Sequence, residues 1–244
     1  MSVPENVRQK LALAIPGTPV EIAELLSKYV KELQEAGAAS TVPNQQALIP
    51  VLAADMKRKA GGTGSDAEWQ HAAKQQIEGN QTTALTTSDD RYTGIEGGAK
   101  FDEIHELVHI CSAKGGESTQ HNFKLQFNEG AINYFSELVA PKLGASVAGR
   151  YATETDLVKK LVKLIGNPDA SKKLFASTFQ GKIDDFFLAV GVAYRKLGDK
   201  QPDGKNKGPG DKAYTTDQAA GTEFQSKVKN WSEGWLKARL PTLP

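Results

Sequence analysis

Apolar residues recur at helical intervals along most of this chain. Pro16-Gly17-Thr18-Pro19 reads as a stop followed by a start, with Thr18 as a cap and Pro19 in the first helical position. Ile22, Leu25, Leu26, Tyr29, Val30 and Leu33 then fall on one helical face, and Gly37 ends the run. A second helix is predicted over 44–59, carrying Leu48, Ile49, Leu52 and Met56, with Pro50 near its first turn. Gly61-Gly62-Thr63-Gly64-Ser65 breaks it, and a third helix over 66–78 starts from a Ser65 or Asp66 cap.

From 81 to 98 the texture changes. Threonines, Tyr92 and Ile95 alternate with polar residues, punctuated by Gly94, Gly97 and Gly98. This is the one stretch that reads as short strands and turns. Helical spacing returns over 99–112 (Ile104, Leu107, Val108, Cys111), 127–139, 150–165, 170–179 and 182–197. The stretch 198–220 is rich in Gly, Pro, Lys and Asp without apolar periodicity and reads as a loop. Phe224, Val228, Trp231, Trp235 and Leu236 restore an apolar face in a final helix. The predicted fold is α+β, mostly helical, with a small sheet. Its expected parts are a helical segment 1–80, a core 81–198, a flexible loop 199–221 and a C-terminal helix 222–244 that docks on the core, all in one compact unit.

Composition narrows the function. Over 244 residues, 39% are hydrophobic and 24% charged, which suits a folded globular chain able to bury a real core. A formal net charge of +1 provides no basic field for nucleic acid, and no apolar run is long enough to span a bilayer. The single cysteine, Cys111, excludes an intrachain disulfide and reads as a small buried filler. The N-terminus lacks a basic segment followed by an apolar one, so the expectation is a chain cytoplasmic as synthesised, with any export needing no cleavable leader.

The chemistry is concentrated in Phe101-Asp-Glu-Ile-His105-Glu106-Leu107-Val108-His109. Two histidines four apart on a helix project from one face, one turn apart, where a single metal ion can take both imidazoles. Catalytic zinc needs a third protein ligand and an open position. Glu129, in Asn128-Glu129-Gly130 and separated from His109 by nineteen residues, is the candidate. Taken alone, Glu129 is equally a carboxylate stabilising a helix N-terminus.

His105-Glu106-x-x-His109 followed by Asn128-Glu129 resembles the gluzincin pattern of thermolysin-like metallopeptidases. The stretch Asn128-Glu129-Gly130-Ala131-Ile132-Asn133-Tyr134 is similar to the Asn-Glu-Gly-x-x-x-Tyr wording of zinc aminopeptidases. Both also resemble bacterial zincin domains of toxin-like and secretion-associated proteins. The resemblance covers about 98–137 and implies a zincin-like fold with the metal helix beside the sheet. It implies Zn2+ on His105, His109 and Glu129, with Glu106 as general base toward a peptide or protein substrate. An oxyanion donor is implied as well, from Tyr151, His121, Tyr194 or Tyr134. Tyr151 is favoured because it opens the helix after the ligand helix. Thermolysin-like enzymes carry an aspartate four residues past the third ligand to orient a histidine. Asn133 stands there instead, with Glu137 or Asp102 as helpers. An endopeptidase is the leading expectation. The alternatives are an aminopeptidase, weakened by the lack of an upstream Gly-x-Met-Glu-Asn-type motif, and a non-catalytic zinc-stabilised domain of a secretion or injection apparatus.

Overall fold

Local signals in the sequence start and stop most of the elements. The computed structural model describes residues 2–112, 125–148, 151–166, 169–198 and 216–240. Helix α1 (Val3–Leu13) opens the chain from a Ser2 cap and buries only Val7 and Leu11. That stripe is too thin to announce a helix, and none was expected there. Helix α2 (Pro19–Glu35) follows the expected pattern, with the Thr18 hydroxyl accepting the Glu21 N–H at 3.2 Å. Gly37, at φ +72°, turns the chain out of it. Strand β1 (Ala39–Val42) comes next. The expected single helix over 44–59 is a three-ten turn, Gln45–Leu48, capped by Asn44 and running into α3 (Ile49–Lys59). Pro50 sits in the first turn of α3, where its missing N–H costs nothing. Helix α4 (Asp66–Asn80) starts at a reciprocal Ser65–Glu68 capping box.

Strands β2 (Ala84–Thr86) and β3 (Tyr92–Ile95) fall in the stretch expected to hold short strands and pair as a hairpin. The sheet is larger than the sequence predicted. Its order is β1-β3-β2, with β1 parallel to β3 (Ala39↔Tyr92 to Val42↔Ile95) and β2 antiparallel to it (Ala84↔Gly94, Thr86↔Tyr92). Ala-Ser-Thr-Val is too short and too polar to declare itself a strand. Its partner lies some fifty residues away, so only the parallel pairing reveals it.

Seven further α-helices and a three-ten turn, Ala140–Leu143, complete the described chain: α5 (Lys100–Cys111), α6 (Leu125–Val139), α7 (Ala152–Ile165), α8 (Asp169–Gln180), α9 (Ile183–Gly198), α10 (Asp217–Lys229) and α11 (Glu233–Arg239). The expected final helix is thus two, and residues 217–220, expected in the loop, open α10 from a Thr216 cap. Of that loop, 199–215 lies outside the described residues. Gly191 and Gly221 let α9 and α10 touch main chain to main chain. A Cβ on Gly221 would stand 2.6 Å from the Phe187 carbonyl oxygen. One hydrophobic cluster joins residues from Val7 in α1 to Leu240 after α11. Helices α3 and α4 pack on each other beside it, burying Ala53, Ala73 and Ile77. Among the described residues no helix is long and apolar enough to cross a membrane.

Candidate metal centre

Helix α5 is held by Phe101, Ile104, Leu107, Val108 and Cys111, all buried in the core. That anchoring fixes its rotation, and the neighbouring stripe carries His105 and His109, whose ring centroids lie 4.8 Å apart. Helix α6 packs against α5 with Phe127, Ala131, Ile132 and Phe135 buried, which aims Glu129 at the two imidazoles.

The three side chains converge. His105 Nε2 lies 3.0 Å from Glu129 Oε2, His109 Nε2 lies 3.2 Å from the same oxygen, and the two Nε2 atoms are 3.1 Å apart. Each contact is within hydrogen-bonding range, and the two ring nitrogens and the carboxylate oxygen lie close enough together to share one ion. An ion with N and O ligands at about 2.0–2.1 Å in tetrahedral array spaces them by roughly 3.3 Å. The donor set and its spacing therefore fit a divalent metal ion, and these are the described residues that could hold one.

Burial pushes the Glu129 carboxyl up, but hydrogen bonds from His105 and His109 and their charge bring it down to about 2. Glu129 is therefore an anion at neutral pH. Burial works to lower the His109 value, yet the Glu129 carboxylate, through a hydrogen bond and its charge, raises it overall.

Glu106 follows His105 on α5, and its Oε2 accepts the Thr86 hydroxyl at 2.6 Å. Thr86 belongs to β2, at the edge of the sheet. Helix α5 therefore stands beside the edge strand of the sheet. In the ladder the Ile95 N–H donates to the Thr83 carbonyl and the Thr87 N–H to the Arg91 carbonyl. Alternation then turns the main-chain groups of Ala84 and Thr86 away from β3, toward the outer edge of the sheet.

Tyr151 is brought to the site. Its ring stacks on His105 at 5.5 Å between centroids with planes 20° apart, and it is 40% exposed. Its backbone sits at φ +50°, a left-handed conformation that costs energy for a tyrosine and that tertiary packing must hold. The other oxyanion candidates fall elsewhere. The Tyr134 hydroxyl shares a 2.7 Å hydrogen bond with Ser171, and Tyr194 packs edge-on to Phe224. His121 lies outside the described residues. Asn133 does not orient a ligand. Its amide nitrogen donates to the Thr155 hydroxyl at 2.9 Å and to Glu137 at 3.3 Å, and no described residue hydrogen-bonds His105 Nδ1. Glu137 pairs with Lys159.

Cys111 is fully buried, and burial pushes its thiol up to about 12, so it is inert packing as expected. His71 is exposed and hydrogen-bonded to Gln75. Sequence reasoning missed Thr86, whose only signal was its place in the strand-like stretch. It also missed Arg8. This guanidinium donates to the Ile110 carbonyl at the end of α5 and to Asp90 at the hairpin turn, both at 3.1 Å.

No family model, curated protein or solved structure matches this chain. What the site can do is therefore argued from its own residues.

Proposed function

We propose that this protein is a zinc-dependent peptidase of the gluzincin kind with a zincin-like core, cutting within extended peptide chains. The observation that carries the reading is the triangle of His105 Nε2, His109 Nε2 and Glu129 Oε2 with sides of 3.0–3.2 Å, with the Glu106 carboxylate near enough to act electrostatically on His109. Zinc is favoured by two imidazoles and one carboxylate, a ligand set that leaves a fourth position open.

Zinc, when bound, supplies acidification of water and polarisation of the scissile carbonyl. Glu106 takes the proton of the attacking water and passes it to the leaving amine. The stacking of Tyr151 on His105 supports it as the residue whose hydroxyl donates to the oxygen that becomes negative in the transition state. The outward main-chain groups of Ala84 and Thr86 give an extended substrate a ladder to pair with, so the reading favours internal peptide bonds over recognition of a free amino terminus.

The test is to incubate the zinc-loaded protein and its Glu106→Gln variant with a mixed proteome and map new termini. New internal termini with the wild type and none with the variant are expected. Release of single N-terminal residues points to an aminopeptidase. Retained zinc with no cleavage by the wild type makes the site a structural one and ends the hydrolase reading.

A further inference from the structure

Glu106 sits on a long flexible side chain, only partly buried, yet its task requires a fixed carboxylate. Among the described residues one hydrogen bond restrains it, and that bond comes from another element: Thr86 Oγ1 to Glu106 Oε2, 2.6 Å. A hydroxyl has a single proton to donate, and a short bond to an ionised carboxylate is a strong one. It occupies Oε2 and leaves Oε1 for the attacking water. We propose that Thr86 is a positioning residue for the base, and that it sets the base and the substrate from one point. Its side chain holds Glu106, while its main chain faces the outer edge where the peptide pairs. This rests on the hydrolase reading above.

A tether is useful only if its far end is fixed, and the hairpin carrying Thr86 is fixed on two sides. From α3, Asp55 Oδ1 accepts the Ser88 N–H at 2.8 Å and the Ser88 hydroxyl at 2.6 Å. From α1, Arg8 donates to Asp90 in the turn and to the Ile110 carbonyl at the end of the metal helix. Thr86 itself lies between the paired positions Leu85↔Thr93 and Thr87–Arg91. The hairpin cannot drift from α5 without breaking buried or half-buried charged contacts. Its threonine therefore acts as a rigid stop for the Glu106 carboxylate.

The experiment compares zinc-loaded full-length wild type with Thr86→Val, which keeps shape and strand preference but loses the hydroxyl, and Thr86→Ser, which keeps the hydroxyl. With a peptide that the wild type cleaves, Thr86→Val should lower kcat on the order of 10- to 100-fold with little change in KM, and Thr86→Ser should recover to within about threefold. A readout independent of turnover is a stability cycle with Glu106→Ala. Thr86→Val should lower the thermal midpoint by roughly 2–4 °C in the wild-type background and by much less when Glu106 is absent. Equal losses in both backgrounds, or a Thr86→Val enzyme with wild-type kcat, overturn the positioning role while the hydrolase reading stands. A wild type that cleaves nothing overturns both, and the cycle then still tells whether the hydroxyl and carboxylate are coupled.

Discussion

Gly130 lies directly against the main chain of Glu154: a Cβ at Gly130 would stand 2.6 Å from the Glu154 carbonyl oxygen and 3.0 Å from Val158 Cγ2. The glycine next to Glu129 therefore sets how closely α7 approaches α6. Tyr151 caps α7, so this contact also sets the height of its ring over His105. Gly130→Ala should force the two helices apart and destabilise the protein by about 1–3 kcal/mol. Thermal unfolding checks the loss. Weaker zinc binding should accompany it, because Glu129 precedes the displaced residue.

The metal ligands give a second prediction. Wild type should bind one zinc per chain. At a free concentration about 100 times the dissociation constant, zinc should raise the midpoint on the order of 5–10 °C. A chelator should reverse the shift. His109→Ala and Glu129→Gln should show no such response in the same titration, because each removes one corner of the triangle. Equal zinc content in these variants and the wild type would refute the assignment.

For Tyr151, the expected outcome concerns rate rather than binding. Tyr151→Phe keeps the ring on His105 but removes the hydroxyl. A lost oxyanion donor costs on the order of 10²-fold or more in kcat. Steady-state kinetics should show that fall with zinc content unchanged. An unchanged kcat would return the role to His121 or to no side chain at all.

Asp55 makes a prediction about acid. It is almost fully buried. Burial works to raise its carboxyl, but hydrogen bonds from Lys59 and Ser88 outweigh it, and the value lies below the ordinary 3.8. A carboxyl lowered on folding adds stability that is fully present above its unfolded value of about 3.9. That stability is lost as pH falls through the folded value. Wild-type stability should therefore drop as pH falls below about 4, and Asp55→Asn should be less stable at neutral pH with a shallower acid limb. Denaturant titrations between pH 7 and pH 3 measure both.

Cys111 should ignore thiol reagents. With the side chain fully buried and the thiol pushed up to about 12, almost no thiolate is present or reachable near pH 8. Labelling followed by mass spectrometry should show modification only once denaturant unfolds the chain. Rapid labelling of the native protein would contradict the packing of α5.

Much of this molecule was legible without coordinates, because its signals are local. Thr18, Asn44 and Ser65 accept N–H groups three residues ahead, a distance visible in one turn of chain. The four-residue interval between His105 and His109 places them on one face by helical geometry alone. The apolar stripe Phe101, Ile104, Leu107, Val108 and Cys111 says which face that is not.

What no window of sequence could settle is everything made by elements that meet from a distance. β1 is a strand because β3 accepts it in parallel. Glu129 becomes a plausible ligand, and more than a helix-end carboxylate, because the packing of α6 on α5 turns it toward two imidazoles. Asn133 turns to Thr155 and leaves His105 alone, and Thr86 reaches Glu106 across the gap between sheet and helix. Period and capping are properties of consecutive residues. Convergence depends on the crossing of packed elements, which is set by many apolar contacts at once and by a few close approaches such as Gly130 on Glu154.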